Sequence, residues 1–284
     1  MCRLFGLSAA PERVYAKFWL LEAPDSFLQQ SRRNPDGTGL GSFDAEGAPL
    51  LDKQALPAFK DPAFVREAKT VESAVFVSHI RYATTGDKTY ENCHPFSMDG
   101  RIFAHNGVLG NVPELAAHLG EAARAWVKGQ TDSEHYMALI TQEIRAHAGD
   151  VTAGIAAAVE WIAAKLPVFS LNFLLATPNE LWAFRYPLGD ELYVLERPSG
   201  GHHGNRHLHY ASSRLRVHSP HLASRPAVVV ASEPLDDSPS WRLLRSGELI
   251  HIAPDQQVGS RILIDSAPAH PLVLPAHVAP GVAA

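Results

Sequence analysis

Met1-Cys2-Arg3-Leu4-Phe5-Gly6 opens the chain and decides how the rest is read. Cys2 is one of only two cysteines in 284 residues and follows the initiator methionine directly. Methionine aminopeptidase acts where the second residue is small, and cysteine qualifies. The mature chain would then begin with one residue carrying both a thiol and a free α-amine. The thiolate is the attacking form of cysteine, and an α-amine with a reference pKa of about 7.7–8.0 can take the thiol proton near neutral pH. A terminal amine that activates its own side chain is an established form of nucleophilic catalysis. Three plainer readings compete. A lipoprotein cysteine needs an apolar segment upstream, a disulfide to Cys93 needs an oxidising compartment, and a small residue can simply start a strand. Residues 2–9 alternate loosely and read as a strand that would bury the new terminus at a sheet end.

Hydrophobic residues make up 46% of the chain and charged residues 19%, with a formal net charge of −5. This is a globular composition with ample material for a core. It gives no electrostatic reason to expect nucleic acid or an anionic membrane as partner, and no apolar run reaches the roughly eighteen residues of a spanning helix. The expected address is the cytoplasm, with no cofactor and with a homo-oligomer open.

Along the chain, Asn34-Pro35-Asp36-Gly37-Thr38-Gly39-Leu40-Gly41 is a turn leading into a short strand. Its spacing does not fit a phosphate-binding glycine loop, and close backbone approach is the better reading. Residues 64–69 suggest a short helix. Residues 74–80 form a buried strand that runs into His79-Ile80-Arg81-Tyr82-Ala83-Thr84-Thr85-Gly86, and 101–104 form another that ends in His105-Asn106-Gly107. A helix is expected over 113–119. Thr131-Asp132-Ser133-Glu134 crowds capping residues before an amphipathic helix over 136–146, and an Ala-rich helix follows over 151–166. Beyond that the pattern turns to strands at 169–176, 180–185, 191–195, 208–212, 227–231 and 249–252. Strands, then helices, then strands predict one α+β domain over 1–266. Residues 267–284, with four prolines, form an extended or disordered tail. His202, His203, His207 and His209 lack acids or cysteines in strict spacing, so they read as a solvated loop rather than a metal site.

Attack by Cys2 on a carboxamide needs oxyanion donors. Asn106 and the N–H of Gly107 offer a pair, although Asn-Gly is also the strongest short hairpin-turn signal. An amino-acid substrate needs its carboxylate held, and Arg81 at a strand end could do this fork to fork. Thr84, Thr85 and Gly86 would add hydroxyl and backbone contacts. The alternative for Arg81 is a structural salt bridge. Asp132 could hold the substrate ammonium or merely cap its helix.

Together these residues resemble the class II glutamine amidotransferase domains of the N-terminal-nucleophile (Ntn) hydrolases. Those domains begin with cysteine after methionine removal. An arginine-centred strand end, a His-Asn-Gly stretch and an acidic helix start then follow in this order. Asn34-Pro35-Asp36-Gly37 and Glu91-Asn92-Cys93-His94-Pro95 look like further signatures of the family, and Ala231-Ser232-Glu233-Pro234-Leu235 with Trp241 looks like its compact stand-alone branch. The resemblance implies a four-layer αββα sandwich with the N-terminus in the cleft between two sheets. It implies Cys2 as nucleophile with its α-amine as base, and Asn106 and Gly107 as oxyanion hole. Arg81 with Thr84 and Thr85 would bind the α-carboxylate of glutamine, and Asp132 the α-ammonium. Thr85 stands where several members carry histidine or asparagine.

The implied reaction is cleavage of the glutamine γ-carboxamide through a γ-glutamyl thioester, releasing ammonia and glutamate. Nothing after Leu166 resembles a nucleotide or sugar-phosphate domain, so a separate ammonia-accepting synthase is one expected partner. The alternatives are a stand-alone hydrolase of larger γ-glutamyl amides, as in thiol metabolism, and an inactive binding or regulatory protein on the same fold.

Overall fold

The computed structural model describes residues 2–83, 86–198, 210–211, 216–217 and 225–274. Strands longer than two residues are β1 (Arg3–Ser8), β2 (Gly37–Phe43), β3 (Pro49–Gln54), β4 (Val75–Arg81), β5 (Phe96–Met98), β6 (Arg101–Leu109), β7 (Pro167–Ala176), β8 (Leu181–Arg185), β9 (Tyr193–Arg197), β10 (Ala227–Ala231), β11 (Glu248–Ile252) and β12 (Val258–Ile262). The helices of seven residues or more are α1 (Pro62–Thr70), α2 (Val112–His118), α3 (Asp132–Ala146) and α4 (Val151–Lys165).

One antiparallel sheet runs Arg242–Leu243, β9, β10, β1, β4, β2, β3, and the second runs β12, β11, β8, β7, β6, β5. His270–Pro271, in the described part of the tail, pairs in parallel with the start of β7. Period-two alternation divides each strand between two apolar layers. Leu4, Val75, Val77, Ile102, Ala104, Leu174, Val228 and Val230 meet between the sheets. Phe5, Leu7, Phe76, Ile80 and Val229 face outward onto Phe18, Trp19, Phe27 and Phe64 of short helical segments and α1. On the far side, Phe103, Phe173 and Leu175 pack under Tyr136, Ile140, Ile155 and Val159 of α3 and α4. Three apolar layers thus separate four structural ones, which makes the αββα sandwich. Among the described residues no helix is long and apolar enough to cross a membrane.

The helix starts follow local chemistry. Thr131 caps α3 by accepting the N–H of Glu134 at 3.3 Å, Asp150 caps α4 through the N–H of Ala153, and Asp61 precedes Pro62 at the start of α1. Two sequence expectations need correction. The strand expected over 101–104 continues to Leu109, because β6 pairs with β7 from Ile102 to Leu109, so Asn106-Gly107 lies inside a strand rather than in a hairpin turn. Asp132 does not cap its helix, since Thr131 does. Strands β3 and β12 carry little periodic signal, their residues being mostly half-buried or exposed at sheet edges.

The glycine stripe of β2 is a packing device. Gly37, Gly39 and Gly41 face the 93–95 segment and Ile102, and a Cβ on Gly39 would fall inside contact with the carbonyl oxygen of His94 and the ring of Pro95. Gly39→Ala should therefore overpack the inter-sheet space at a cost of about 1–3 kcal/mol, seen as a melting temperature lower by about 3–10 °C. Gly189→Ala, where nothing lies near the added carbon, should melt like the wild type; equal melting of both variants would refute the packing account.

Candidate functional site

Cys2 is the residue immediately before β1, and β1 is central in its sheet, flanked by β4 and β10. Its thiol is tied to the residue after β4. Sγ accepts the N–H of Tyr82 at 3.2 Å and donates to the Tyr82 carbonyl at 3.4 Å. Arg3 holds the Cys2 carbonyl through Nη1 at 3.1 Å and pairs through Nη2 with Glu233, which also meets Arg33. Burial pushes the Cys2 thiol pKa up; the Tyr82 N–H and Arg81 oppose that shift, and Asp190 adds to it. The net result is a thiol, not a thiolate, at neutral pH, so attack needs a base nearby. Cys93 is also a free thiol, fully buried.

Arg81, at the end of β4, is 3% exposed. Its guanidinium donates to the carbonyls of Asp87 (2.9 Å) and Gly86 (3.2 Å), so the Gly86 turn wraps around the arginine head. Asn92 ties that turn to the approach to α3, donating to Asp87 O at 3.1 Å and accepting the N–H of Gln130 at 2.8 Å. Asp36 pins the other flank by accepting the N–H of Ala83 at 3.0 Å and pairing with Lys88. Burial pushes its carboxyl pKa up, but Lys88 and Ala83 outweigh that and leave it lowered. Thr84 and Thr85 lie outside the described residues.

Asn106 shares with Ile102 and Ala104 the face of β6 that looks between the sheets. It is 2% exposed, and its Oδ1 has no hydrogen-bond partner among the described residues. Gly107 sits where a Cβ would collide with the Ser170 carbonyl and the His105 ring, so only glycine fits. The His105 imidazole faces the helix layer, bridging Ser133 Oγ (2.9 Å) and the Ser170 carbonyl (3.0 Å). Asp132 Oδ2 accepts the N–H of Leu109 at 2.8 Å, which fixes the start of α3 to the end of β6.

Sequence reasoning missed four residues here. Asn172 is the cross-strand partner of Asn106, and Ser170 Oγ donates to the Asn106 carbonyl at 3.2 Å. Asp190 is 6% exposed, its carboxyl is hydrogen-bonded by Ser170, its Oδ2 has no partner among the described residues, and Arg185 binds its carbonyl at 2.8 Å. Ser170 and Asn172 did leave a trace, as polar breaks in the apolar run of β7. Asp190, in an ordinary-looking Pro-Leu-Gly-Asp turn, left none. A buried acceptor without a donor costs about 1–3 kcal/mol, and Asn106 Oδ1 and Asp190 Oδ2 are two such acceptors among the described residues.

Against this geometry stand the likenesses to known proteins. The profile of the class-II glutamine amidotransferases matches residues 1–265, and the chain belongs to that family. It is an enzyme of the amidohydrolase type. A γ-glutamyl-hercynylcysteine sulfoxide hydrolase of Mycolicibacterium smegmatis is 27% identical over 287 residues, 97% of this chain and all of that one. A Saccharomyces cerevisiae protein named a probable glutamine amidotransferase is 32% identical over 127 residues, so that 40% of this chain spans 36% of it. The amidophosphoribosyltransferase of Mycobacterium leprae is 32% identical over 161 residues, 51% of this chain and 28% of that protein. Among solved structures, a class-II domain protein from Silicibacter pomeroyi superposes with a TM-score of 0.61 at 21% identity, covering 93% of this chain and 100% of that one. An allosteric regulatory enzyme of purine biosynthesis gives 0.64 at 22%, covering 94% and 50%. These two establish the shared Ntn fold.

Below the site, His79 and His94 stack between the sheets with ring centroids 4.1 Å apart. Both are fully or nearly buried, at 0% and 4%. Burial, helped by Arg81 and His105, drives the His79 pKa down to about 3, and burial, helped by the neighbouring His79, His105, Lys53 and Arg81, drives that of His94 well below normal. Both rings are neutral in the folded chain, whereas in the unfolded chain each takes up a proton below about pH 6.5. The unfolded state therefore binds more protons below that pH, and folding stability falls as pH drops through it. Urea titrations at pH 7.5 and 5.5 should differ by about 1–3 kcal/mol from this pair. His79→Gln/His94→Gln should lose most of that difference; a wild type equally stable at both pH values would refute it.

Proposed function

We propose that this chain hydrolyses a γ-glutamyl amide, with glutamine as the minimal substrate. The observation that carries this reading is the meeting of the Cys2 thiol with Tyr82 at the end of the Arg81 strand. That contact supports reading Cys2 as the nucleophile and Arg81 as the cation that binds the substrate carboxylate. Removal of Met1 would free the α-amine of Cys2 to take the thiol proton. The sulfur then attacks the γ-carbonyl carbon. The oxyanion that develops is met by the Asn106 amide and the N–H of Gly107, a donor pair of the kind worth roughly 10²–10³ in rate per donor. Collapse breaks the C–N bond, and the leaving nitrogen takes its proton from the α-ammonium. Water then attacks the γ-glutamyl thioester, returning glutamate and the thiol.

Arg81 would bind the α-carboxylate, its direction preset by the 86–87 carbonyls, and Asp132 the α-ammonium, with Thr84, Thr85 and Gly86 adding contacts. Burial of the thiol supports the need for an internal base, because a thiol with a raised pKa is a poor nucleophile without one. A separate synthase that accepts the ammonia fits this reading. A second reading is turnover of bulkier γ-glutamyl amides by the chain alone. It is favoured by the match along the whole length of a γ-glutamyl-hercynylcysteine sulfoxide hydrolase, a protein of this same size class.

Two outcomes are expected. Cys2→Ala should abolish glutamate release from L-glutamine and from a panel of γ-glutamyl alkylamides, and active wild type should have an intact mass lacking Met1. Activity in the Cys2→Ala protein, or an active wild type that retains methionine, would overturn the assignment. Arg81→Lys should raise KM by roughly 10–100-fold with a smaller change in kcat, since lysine keeps the charge but loses the two-pronged fit. An unchanged KM would remove Arg81 from the carboxylate site.

A further inference from the structure

We propose that Asp190 is the positioning residue for the α-amine of processed Cys2, its carboxylate receiving N–H groups that Cys2 gains when Met1 is removed and so holding that amine as the base. This deepens the Cys2 reading above and rests on it.

The turn that carries Asp190 is held by Arg185. Its side chain is nearly buried and makes three hydrogen bonds, to the carbonyls of Asp190 (2.8 Å), Leu244 (2.7 Å) and Leu188 (2.9 Å). Asn172 Nδ2 donates to the same Asp190 carbonyl at 3.2 Å. Two side chains thus fix the backbone of the 188–190 turn, and all three Arg185 bonds go to main-chain oxygens. A buried arginine beside a buried aspartate normally takes the carboxylate. Here Ser170 is the side chain that hydrogen-bonds the Asp190 carboxyl, and Oδ2 has no donor among the described residues.

The vacant oxygen belongs to the Cys2 neighbourhood. Asp190 acts electrostatically on the Cys2 thiol. Asn172, which holds the Asp190 backbone, is the cross-strand partner of Asn106, whose own Oδ1 is another buried acceptor without a donor among the described residues. Two unfilled acceptors at one sheet end call for a group with several N–H donors. An internal Cys2 amide has one; a terminal amine has two, or three when protonated. Processing of Met1 supplies what the site lacks.

The charges around this point give the carboxylate its purpose. Arg81 bears on the thiol from the end of β4, while Arg3 of β1 and Arg185 of β8 bear on Asp190 itself. From β9 and the turn before it, Tyr193 lies within reach of Glu191, Arg185 and Glu233, Glu191 also bears on Arg185, and Glu233 is engaged by Arg3 and Arg33. Three arginines would otherwise depress the pKa of an adjacent amine and leave it a weak base. A carboxylate on the amine restores its basicity, and it favours the ammonium that later protonates the leaving nitrogen.

The test reads the amine without turnover. The pH dependence of N-terminal labelling by a trace of acetic anhydride, followed by peptide mass spectrometry, gives the α-amine pKa in wild type and in Asp190→Asn. Wild type should titrate above the reference of about 7.7–8.0, and Asp190→Asn roughly half to one pH unit lower. The acid limb of kcat/KM for L-glutamine should move down by the same amount, with kcat reduced about tenfold or more. A wild-type amine at or below the reference value would overturn the inference even if the variant fails to fold, and so would superimposable titrations of the two proteins. Cys2→Ala separates the two readings. If it keeps turnover, the Cys2 mechanism fails whatever Asp190 does; if it is dead while the amine pKa ignores Asp190, only the present inference fails.

Discussion

The whole arrangement depends on β1 being paired on both sides. Phe5 to Ser8 register against Val228 to Ala231, and Arg3 to Ser8 against Val75 to Ile80. The ladder is closed at its first residues by mutual bonds with Ser232, whose Oγ accepts the N–H of Leu4 and whose N–H reaches the Leu4 carbonyl. A terminal strand usually frays; one held between two neighbours cannot. Because alternation fixes faces, Leu4 and Gly6 look toward the second sheet, and Cys2 shares their parity. A slip of one residue would turn the thiol to the outer helical layer and bring Phe5 and Leu7 into the space filled by Leu174 and Leu181. The apolar pattern of six residues thereby aims one sulfur atom.

The second constraint is electrical. The inter-sheet layer is apolar at its centre and polar at the end where β1 starts, β4 ends and β6 and β7 carry Asn106 and Asn172. Polar and charged groups there survive burial because backbone groups compensate them: the Arg81 cation by Gly86 and Asp87, the Arg185 cation by three carbonyls, and the neutral Cys2 thiol by the Tyr82 backbone. Main-chain dipoles do not move on binding, so they leave the geometry of each head fixed while its net charge remains available. The neutral His79 and His94 rings beneath add polar atoms without adding charge to a region already holding several cations.

Most of this architecture is legible in the sequence, and the exceptions have physical reasons. The strand 74–80, the helices at 136–146 and 151–166 and the signature order are strong because periodicity, caps and spacing agree. The glycine stripe of β2 reads as close approach, and the structure supplies its partner, the 93–95 segment. Asn106-Gly107 misleads because a local turn signal was weighed without the partner strand. Residues far along the chain, 168–176, extend β6 past that dipeptide, and no local window contains them. Asp190 and Arg185 are invisible for the same reason. Their meaning lies in which oxygen the guanidinium binds, and composition does not record that.

Family membership narrows the chemistry, and the division of labour within the fold says where the remaining specificity must lie. Under the proposed reading, the groups that read the γ-glutamyl head sit on the central ladder or on turns clamped to it, where Asp36, Asn92 and Thr131 leave little slack. The leaving amine departs on the opposite side of the scissile bond. The Tyr186–Asp190 turn, with Leu188 exposed at its tip, and Glu233 after β10 lie outside the central ladder. Substitutions there change no ladder bond and no core layer. A scaffold of this kind can keep one acyl chemistry constant while the amine it releases ranges from ammonia to something much larger.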